Sequence, residues 1–179
     1  MILAVDNGSS YTGSLISHLE GLGTDFEVLR FDQADREGLA GYSHYIISGR
    51  RRNDFAMNRV NAEIIKMAIT HDKPLLGICY GAEMLALVAG GTIRRMASPA
   101  KGVAEVNTIR DNPLCSGRIA VYESHAYEIA RMPPPLEAVA SSAVCANEVI
   151  RYGDSPIYGT QFHPEMTGDG LDMIRRFLS

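Results

Sequence analysis

The chain has no surplus of positive charge: 17 lysines and arginines face 21 aspartates and glutamates, a net charge of -4. That balance argues against a nucleic-acid partner held through a basic face. Cysteine is scarce. Cys79, Cys115 and Cys145 are odd in number, far apart and without C-x-x-C spacing, so neither a disulfide framework nor a metal site is expected. Such thiols suit a reducing compartment, and the cytoplasm is the expected location. No apolar run approaches a membrane span, so no membrane association is expected, and the opening residues enter a strand and polar loop too directly for a signal peptide. A P-loop is missing, as is any Ser-Gly-Gly-x-Asp-Ser pattern, so no nucleotide cofactor is expected on this chain. There is no internal repeat, low-complexity segment or linker. The 179 residues are expected to form one domain, 1–179, able to bury roughly 70% of the unfolded surface.

Two stretches carry chemistry. In Pro74–Ala86 an apolar run stops at Gly77-Ile78-Cys79-Tyr80-Gly81 and a helical pattern starts at once. That is the shape of a nucleophile elbow with cysteine at its tip. The sharp turn strains the nucleophile's backbone, and side chains at Gly77 and Gly81 would collide with their neighbours. The helix that follows points its N-terminus at Cys79, which favours thiolate over thiol. Alone, the pattern fits a buried structural cysteine equally well. The second stretch, Pro156–Glu165, tips the balance: a short apolar strand leads to His163, and Glu165 follows two residues later. In extended chain the two side chains point the same way, so Glu165 would orient the His163 ring and leave its other nitrogen for the cysteine proton. Nucleophile, base and orienting carboxylate are all present.

In chain order, short apolar strands are expected at 2–5, 26–31, 45–47 and 75–78. Helices are expected after residue 12, over 55–71 with Asn53 or Asp54 as cap, and through Val88 after the elbow. This alternation predicts an α/β fold, a mostly parallel sheet with helices on both faces. The second half reads as short strands at 102–109, 118–123, 136–141 and 145–151, a small antiparallel flank, closed by a helix over 171–178. Asp6, Gly49, Cys79 and His163 then fall at strand ends, where sites form in such sheets.

Gly77-Ile78-Cys79-Tyr80-Gly81 followed by Gln161-Phe162-His163-Pro164-Glu165 resembles the class I (triad) glutamine amidotransferases over essentially the whole chain. The resemblance implies their flavodoxin-like fold, catalytic residues Cys79, His163 and Glu165, and glutamine as substrate. It implies an oxyanion site at Gly49, Arg50 and the Tyr80 N–H, and a substrate pocket that includes Glu83 and the backbone of Ser124, His125, Ala126 and Tyr127. His125 reads more readily as a residue that structures this loop than as a catalytic one. Within the family, Val5–Thr12 and Ala140-Ser141-Ser142 look most like the separate glutaminase subunit of archaeal GMP synthase. The opening is also similar to the glutaminase component of anthranilate and aminobenzoate synthases. Either way the ammonia needs a separate synthetase subunit, which would carry ATP and magnesium and, in the first case, aminate XMP to GMP.

Two positions depart from the family pattern. Arg50 stands where a second glycine is usual, a penalty if that backbone needs positive φ, and Arg50–Arg52 also read as a solvated basic loop. Glu83 stands where glutamine is usual, one helical turn after Cys79. Its carboxylate would raise the thiol pKa or bind the α-ammonium of the substrate. These departures are what a catalytically weakened regulatory protein of the same fold would show. A cysteine peptidase of similar fold would carry histidine at position 80, where this chain has Tyr80.

Overall fold

The computed structural model describes residues 1–34 and 38–179. Nine strands form one sheet in the order β2-β1-β3-β4-β9-β8-β7-β5-β6. Strands β1 (Ile2–Asn7), β2 (Phe26–Arg30), β3 (His44–Arg50), β4 (Leu75–Ile78) and β9 (Ile157–Thr160) run parallel. They are short and apolar because both faces are covered. Alternate side chains feed two cores: Ile2, Ala4, Ile46, Leu76 and Ile78 on one face, Leu3, Val5, Tyr45, Ile47 and Leu75 on the other.

Helices α1 (Thr12–Gly21) and α4 (Gly168–Phe177) cover the first face through Leu15, Leu19, Met173, Ile174 and Phe177. Helices α2 (Phe55–Thr70) and α3 (Tyr80–Val88) cover the second through Ile64, Ile65, Ala68, Leu85 and Ala86. Of the two cap candidates, Asp54 is the N-cap of α2, its carboxylate accepting from the Met57 N–H at 2.9 Å.

The remaining strands, β5 (Thr92–Thr108), β6 (Arg118–Arg131), β7 (Leu136–Ser141) and β8 (Val149–Tyr152), continue the same sheet antiparallel. β5 begins ten residues before the expected strand and β6 runs eight residues beyond it. Alternation is weak over these extensions because much of the β5–β6 ribbon is exposed on both faces, which leaves period-2 patterning little to record. β8 starts at Val149 where the sequence suggested 145, because Cys145 belongs to a turn that returns its C=O to the Ser142 N–H at 2.8 Å.

Candidate active site

Strand β4 ends at Ile78 and α3 begins at Tyr80, so Cys79 alone turns the chain, at φ 51 and ψ -99. A positive φ is costly for a residue with a side chain and persists only where its surroundings enforce it. Here the Cys79 N–H donates to the Thr160 C=O at 2.7 Å, and the Cys79 C=O accepts from the Glu83 N–H at 3.0 Å. Both flanking glycines are obligatory: a Cβ on Gly77 would lie 2.5 Å from the carbonyl carbon of Gly81, and one on Gly81 2.5 Å from the Ile47 oxygen.

β9 lies beside β4 with Thr160 level with Ile78, so the chain leaving β9 passes the cysteine and reaches His163. The His163 N–H donates to the Tyr122 C=O at 2.8 Å, which ties the base to β6. His163 Nδ1 and Glu165 Oε1 are 2.8 Å apart, and both side chains are buried. The expected pair is therefore in contact, by a different route. Pro164–Met166 is a 3-10 turn, and the carboxylate returns to the ring through that turn where extended chain was expected. With Nδ1 occupied, Nε2 remains to exchange a proton.

Two further contacts fix the imidazole. The Tyr11 ring sits 4.4 Å from it, centroid to centroid, and the Tyr11 hydroxyl donates to Ser124 Oγ at 3.1 Å. Sequence reasoning gave Tyr11 no role, and the polar stretch after β1 held no local signal for one. On the other side a Cβ at Gly49 would come within 2.9 Å of His163 Cε1, so only glycine leaves the ring its place. The Ser48–Gly49 turn is held by a buried network: Ser48 Oγ accepts from the Asn7 N–H at 2.9 Å, Asn7 Nδ2 donates to the Ser48 C=O at 3.1 Å, and Asn61 Nδ2 donates to Asn7 Oδ1 at 2.7 Å.

The electrostatics of Cys79 differ from the helix-dipole expectation. Burial pushes its thiol well up, and the carboxylates of Glu83 and Glu165 push it further. The Tyr80 N–H at the head of α3 opposes that rise without reversing it. One helix terminus contributes about 0.3–1 kcal/mol, which is less than the desolvation of a fully buried anion costs. The thiolate therefore has to form as its proton leaves for His163.

Arg50 does not need a glycine's conformation. It is the last residue of β3, level with Asn7 of β1, and the positive-φ non-glycine residues among those described are Asp72 and Cys79. Nor does it belong to a solvated loop, although Arg51 and Arg52 are exposed. Its guanidinium carbon lies 4.2 Å from the centroid of the Tyr80 ring, and Nη1 donates to Asn53 and, at 3.1 Å, to Asn58. Asn58 Oδ1 also accepts from the Tyr80 hydroxyl at 2.8 Å. Arg50 Nη2 then stands 4.0 Å from Glu83 Oε2, so the two departures from the family pattern face each other.

Both line a cavity of about 610 Å³ whose walls also include Cys79, Tyr80 and the run Ser124–Tyr127. Behind that run, Glu123, His125 and Glu148 form a buried cluster with ligating atoms within 4.8 Å of one another. His125 Nε2 meets Glu123 Oε2 at 2.8 Å, and Nδ1 meets the Tyr127 C=O at 2.8 Å. Both nitrogens are engaged, which leaves the ring no free lone pair for a metal. Protons satisfy the cluster: hydrogen bonds to Glu123 and Tyr127 raise the His125 pKa against its burial, while burial and the Glu123 charge push Glu148 up to about 8. His125 thus joins the wall segment to the sheet behind it. Cys145 is buried beside Glu148, and burial with that charge pushes its thiol up to about 12; Cys115 is buried within the first core.

Comparison with known proteins fits this geometry. Residues 3–178 match the family model for the glutamine amidotransferase class-I domain. The chain is 33% identical to the glutamine-hydrolyzing GMP synthase subunit of Thermoplasma acidophilum, over 99% of this chain and 90% of that protein. It is 30% identical to the Pyrococcus furiosus protein of the same name, over 99% and 96%. A crystal structure of a candidate GMP synthase subunit from Thermoplasma acidophilum superposes with a TM-score of 0.88 at 32% identity, covering 99% of this chain and 91% of that one.

Proposed function

This chain belongs to the class I glutamine amidotransferase family, and from that premise we propose that residues 1–179 act as one glutaminase domain supplying ammonia to a separate synthetase subunit. Cys79 Sγ attacks the side-chain amide carbon of glutamine as its proton passes to His163 Nε2. The tetrahedral oxyanion is met by the Tyr80 N–H and by the backbone N–H of Arg50 at the end of β3, each donor being worth roughly a hundredfold to a thousandfold in rate. His163 returns the proton to the departing nitrogen, ammonia leaves, and a γ-glutamyl thioester remains on Cys79. Water then gives up a proton to His163 and attacks the thioester, which releases glutamate and restores the thiol. Glu165 orients the base throughout.

One observation carries this reading: a cysteine held at φ 51 at a helix N-terminus, on the strand next to the one that delivers a buried, carboxylate-oriented histidine. The named relatives point to a synthetase that uses ATP and magnesium to aminate XMP to GMP. The two proteins would work as a heteromeric complex in the cytoplasm, without nucleic acid or membrane. Because the Cys79 thiol is held up by burial and by two carboxylates, the free chain is a weak glutaminase, and docking of the loaded synthetase speeds it about a hundredfold, which needs only about 2.7 kcal/mol of differential binding.

The test combines this chain with a GMP synthase synthetase subunit from the same cells. GMP should form from XMP with glutamine, and with ammonium alone when this chain carries Cys79→Ala. The wild-type chain should trap a thioester on Cys79, detected by mass spectrometry. A complex that uses ammonium but never glutamine would overturn the reading.

A further inference from the structure

The cavity beside Cys79 holds two opposite charges that the chemistry above does not use. Glu83 lies one turn into α3 with its side chain 7% exposed, and Arg50 closes the far wall with its side chain 22% exposed. At 4.0 Å their contact is too long for a hydrogen bond, so each charge is left short of a partner. Arg50 is nonetheless fixed in place. Its stacking on Tyr80 and its two Nη1 contacts hold the guanidinium plane and leave Nη2 turned toward Glu83. Glu83 in turn has the Arg50 and His125 charges and the Gln161 amide near it. Gln161 is fully buried and its Nε2 has no hydrogen-bond partner.

Two fixed, opposite, under-satisfied charges a few ångströms apart are complementary to a ligand that carries both signs on one carbon. We propose that Arg50 and Glu83 are the specificity pair for the α-carboxylate and α-ammonium of the substrate, so that the site selects a zwitterionic amino-acid amide over a simple amide. This rests on the glutaminase reading and refines it. Entry of the zwitterion between the two side chains replaces one loose ion pair with two charge-assisted hydrogen bonds. An amide lacking either α-group leaves one protein charge buried and uncompensated, and a site built around polar partners rejects such a ligand far more strongly than it rejects a missing methylene. The assignment also makes Arg50 a requirement. With glutamate at position 83 a lone carboxylate would repel the substrate carboxylate, and Arg50 supplies the matching cation.

Binding separates this inference from the chemistry. In the Cys79→Ala chain, L-glutamine, glutaramate (no α-ammonium) and 4-aminobutanamide (no α-carboxylate) are titrated by NMR. Glutamine should bind at least about tenfold more tightly than either analogue, the scale of one hydrogen bond to a charged group. Adding Glu83→Gln should remove the preference for glutamine over glutaramate and keep the preference over 4-aminobutanamide. Adding Arg50→Met, which keeps a stem to cover Tyr80, should do the reverse. Thermal melts of each variant check that the fold is intact, and Arg50→Lys provides a cation without the planar fork, expected to restore part of the carboxylate preference. Equal weakening of all three ligands by either substitution would overturn the proposal, as would equal binding of all three to the unsubstituted pocket. If the selectivity appears but the wild-type chain forms no thioester, the glutaminase reading fails and the recognition site stands.

Discussion

Cys79 is reactive only in company. Its own surroundings favour the neutral thiol: burial leads, and Glu83 is the largest charge that holds the pKa up. Exchange of Glu83 for glutamine removes that charge and changes little in volume, so the thiol pKa of Cys79 should fall. The measurement is alkylation by iodoacetamide against pH. Glu83→Gln should react several-fold faster than wild type at pH 8, with label on Cys79 and not on Cys115 or Cys145, both of which are buried away from the cavity. An unchanged profile would mean that Glu83 does not bear on the nucleophile. Glu165 acts on the base in addition to the thiol. Glu165→Gln keeps a hydrogen-bond acceptor for His163 Nδ1 and should retain measurable glutaminase activity, whereas His163→Ala should lose nearly all of it. Equal activity of His163→Ala and wild type would remove the base from the mechanism.

The elbow between β4 and α3 depends on close backbone approach more than on any single interaction. Gly77 and Gly81 touch each other, Gly81 touches β3, and a Cβ on Gly159 of β9 would lie 2.8 Å from the Ala82 Cβ. The helix N-terminus therefore sits directly on the sheet, and Cys79 is carried at the contact point. Gly77→Ala drives a methyl group against backbone that has nowhere to move, and overpacking of this kind costs typically 1–3 kcal/mol or more. Urea denaturation should show a loss of about 3 kcal/mol together with loss of thioester formation. A variant as stable as wild type would show that the elbow can relax. Gly49 is tested on the same principle at the end of β3: Gly49→Ala presses on His163 and should lower turnover more than stability.

Across the molecule the buried Glu123–His125–Glu148 cluster links the pocket wall on β6 to the start of β8, and it makes stability depend on pH. Glu148 has its pKa pushed up to about 8 from an ordinary 4.5, and His125 is also raised. Groups raised on folding bind protons more tightly in the native state, so their stabilisation is complete below their ordinary values and is lost as pH rises through the raised ones. His18 and His44 are lowered from 6.5 by burial and act in the opposite sense, but only below that pH. The cluster therefore dominates from about 6.5 to about 8, where the melting temperature should fall as pH rises, by up to about 1.4 kcal/mol of stability per pH unit. Glu148→Gln keeps an acceptor for the Ser142 hydroxyl, which lies 2.6 Å from Glu148 Oε1. It should flatten that slope. A wild-type melting temperature that is level or rising across this window would show that Glu148 ionises normally.

Much of this was present in the one-dimensional pattern because it depends on local sterics. A tight strand-to-helix turn needs glycine on both sides of its tip whatever surrounds it, so Gly77-Ile78-Cys79-Tyr80-Gly81 announced the elbow. Short apolar runs alternating with helical periods announced a parallel sheet covered on both faces. The His163–Glu165 pairing was also readable, although the 3-10 turn that makes it was not. Other features depend on which strands become neighbours. Tyr11 reaches His163 because β1 and β9 both end at the same edge of the sheet, and Asn7, Ser48 and Asn61 meet because β1, β3 and α2 converge there. The thiol pKa reversed its expected direction because desolvation and three carboxylates, from α3, β6 and the turn after β9, exceed one helix terminus. Arg50 and Glu83 are 33 positions apart, and each alone looked like a defect in a familiar pattern. Only the packing of β3 against α3 sets their charges opposite each other across one cavity. Steric requirements of the backbone are written residue by residue, whereas electrostatic ones belong to pairs, and the pairs exist only once the sheet has formed.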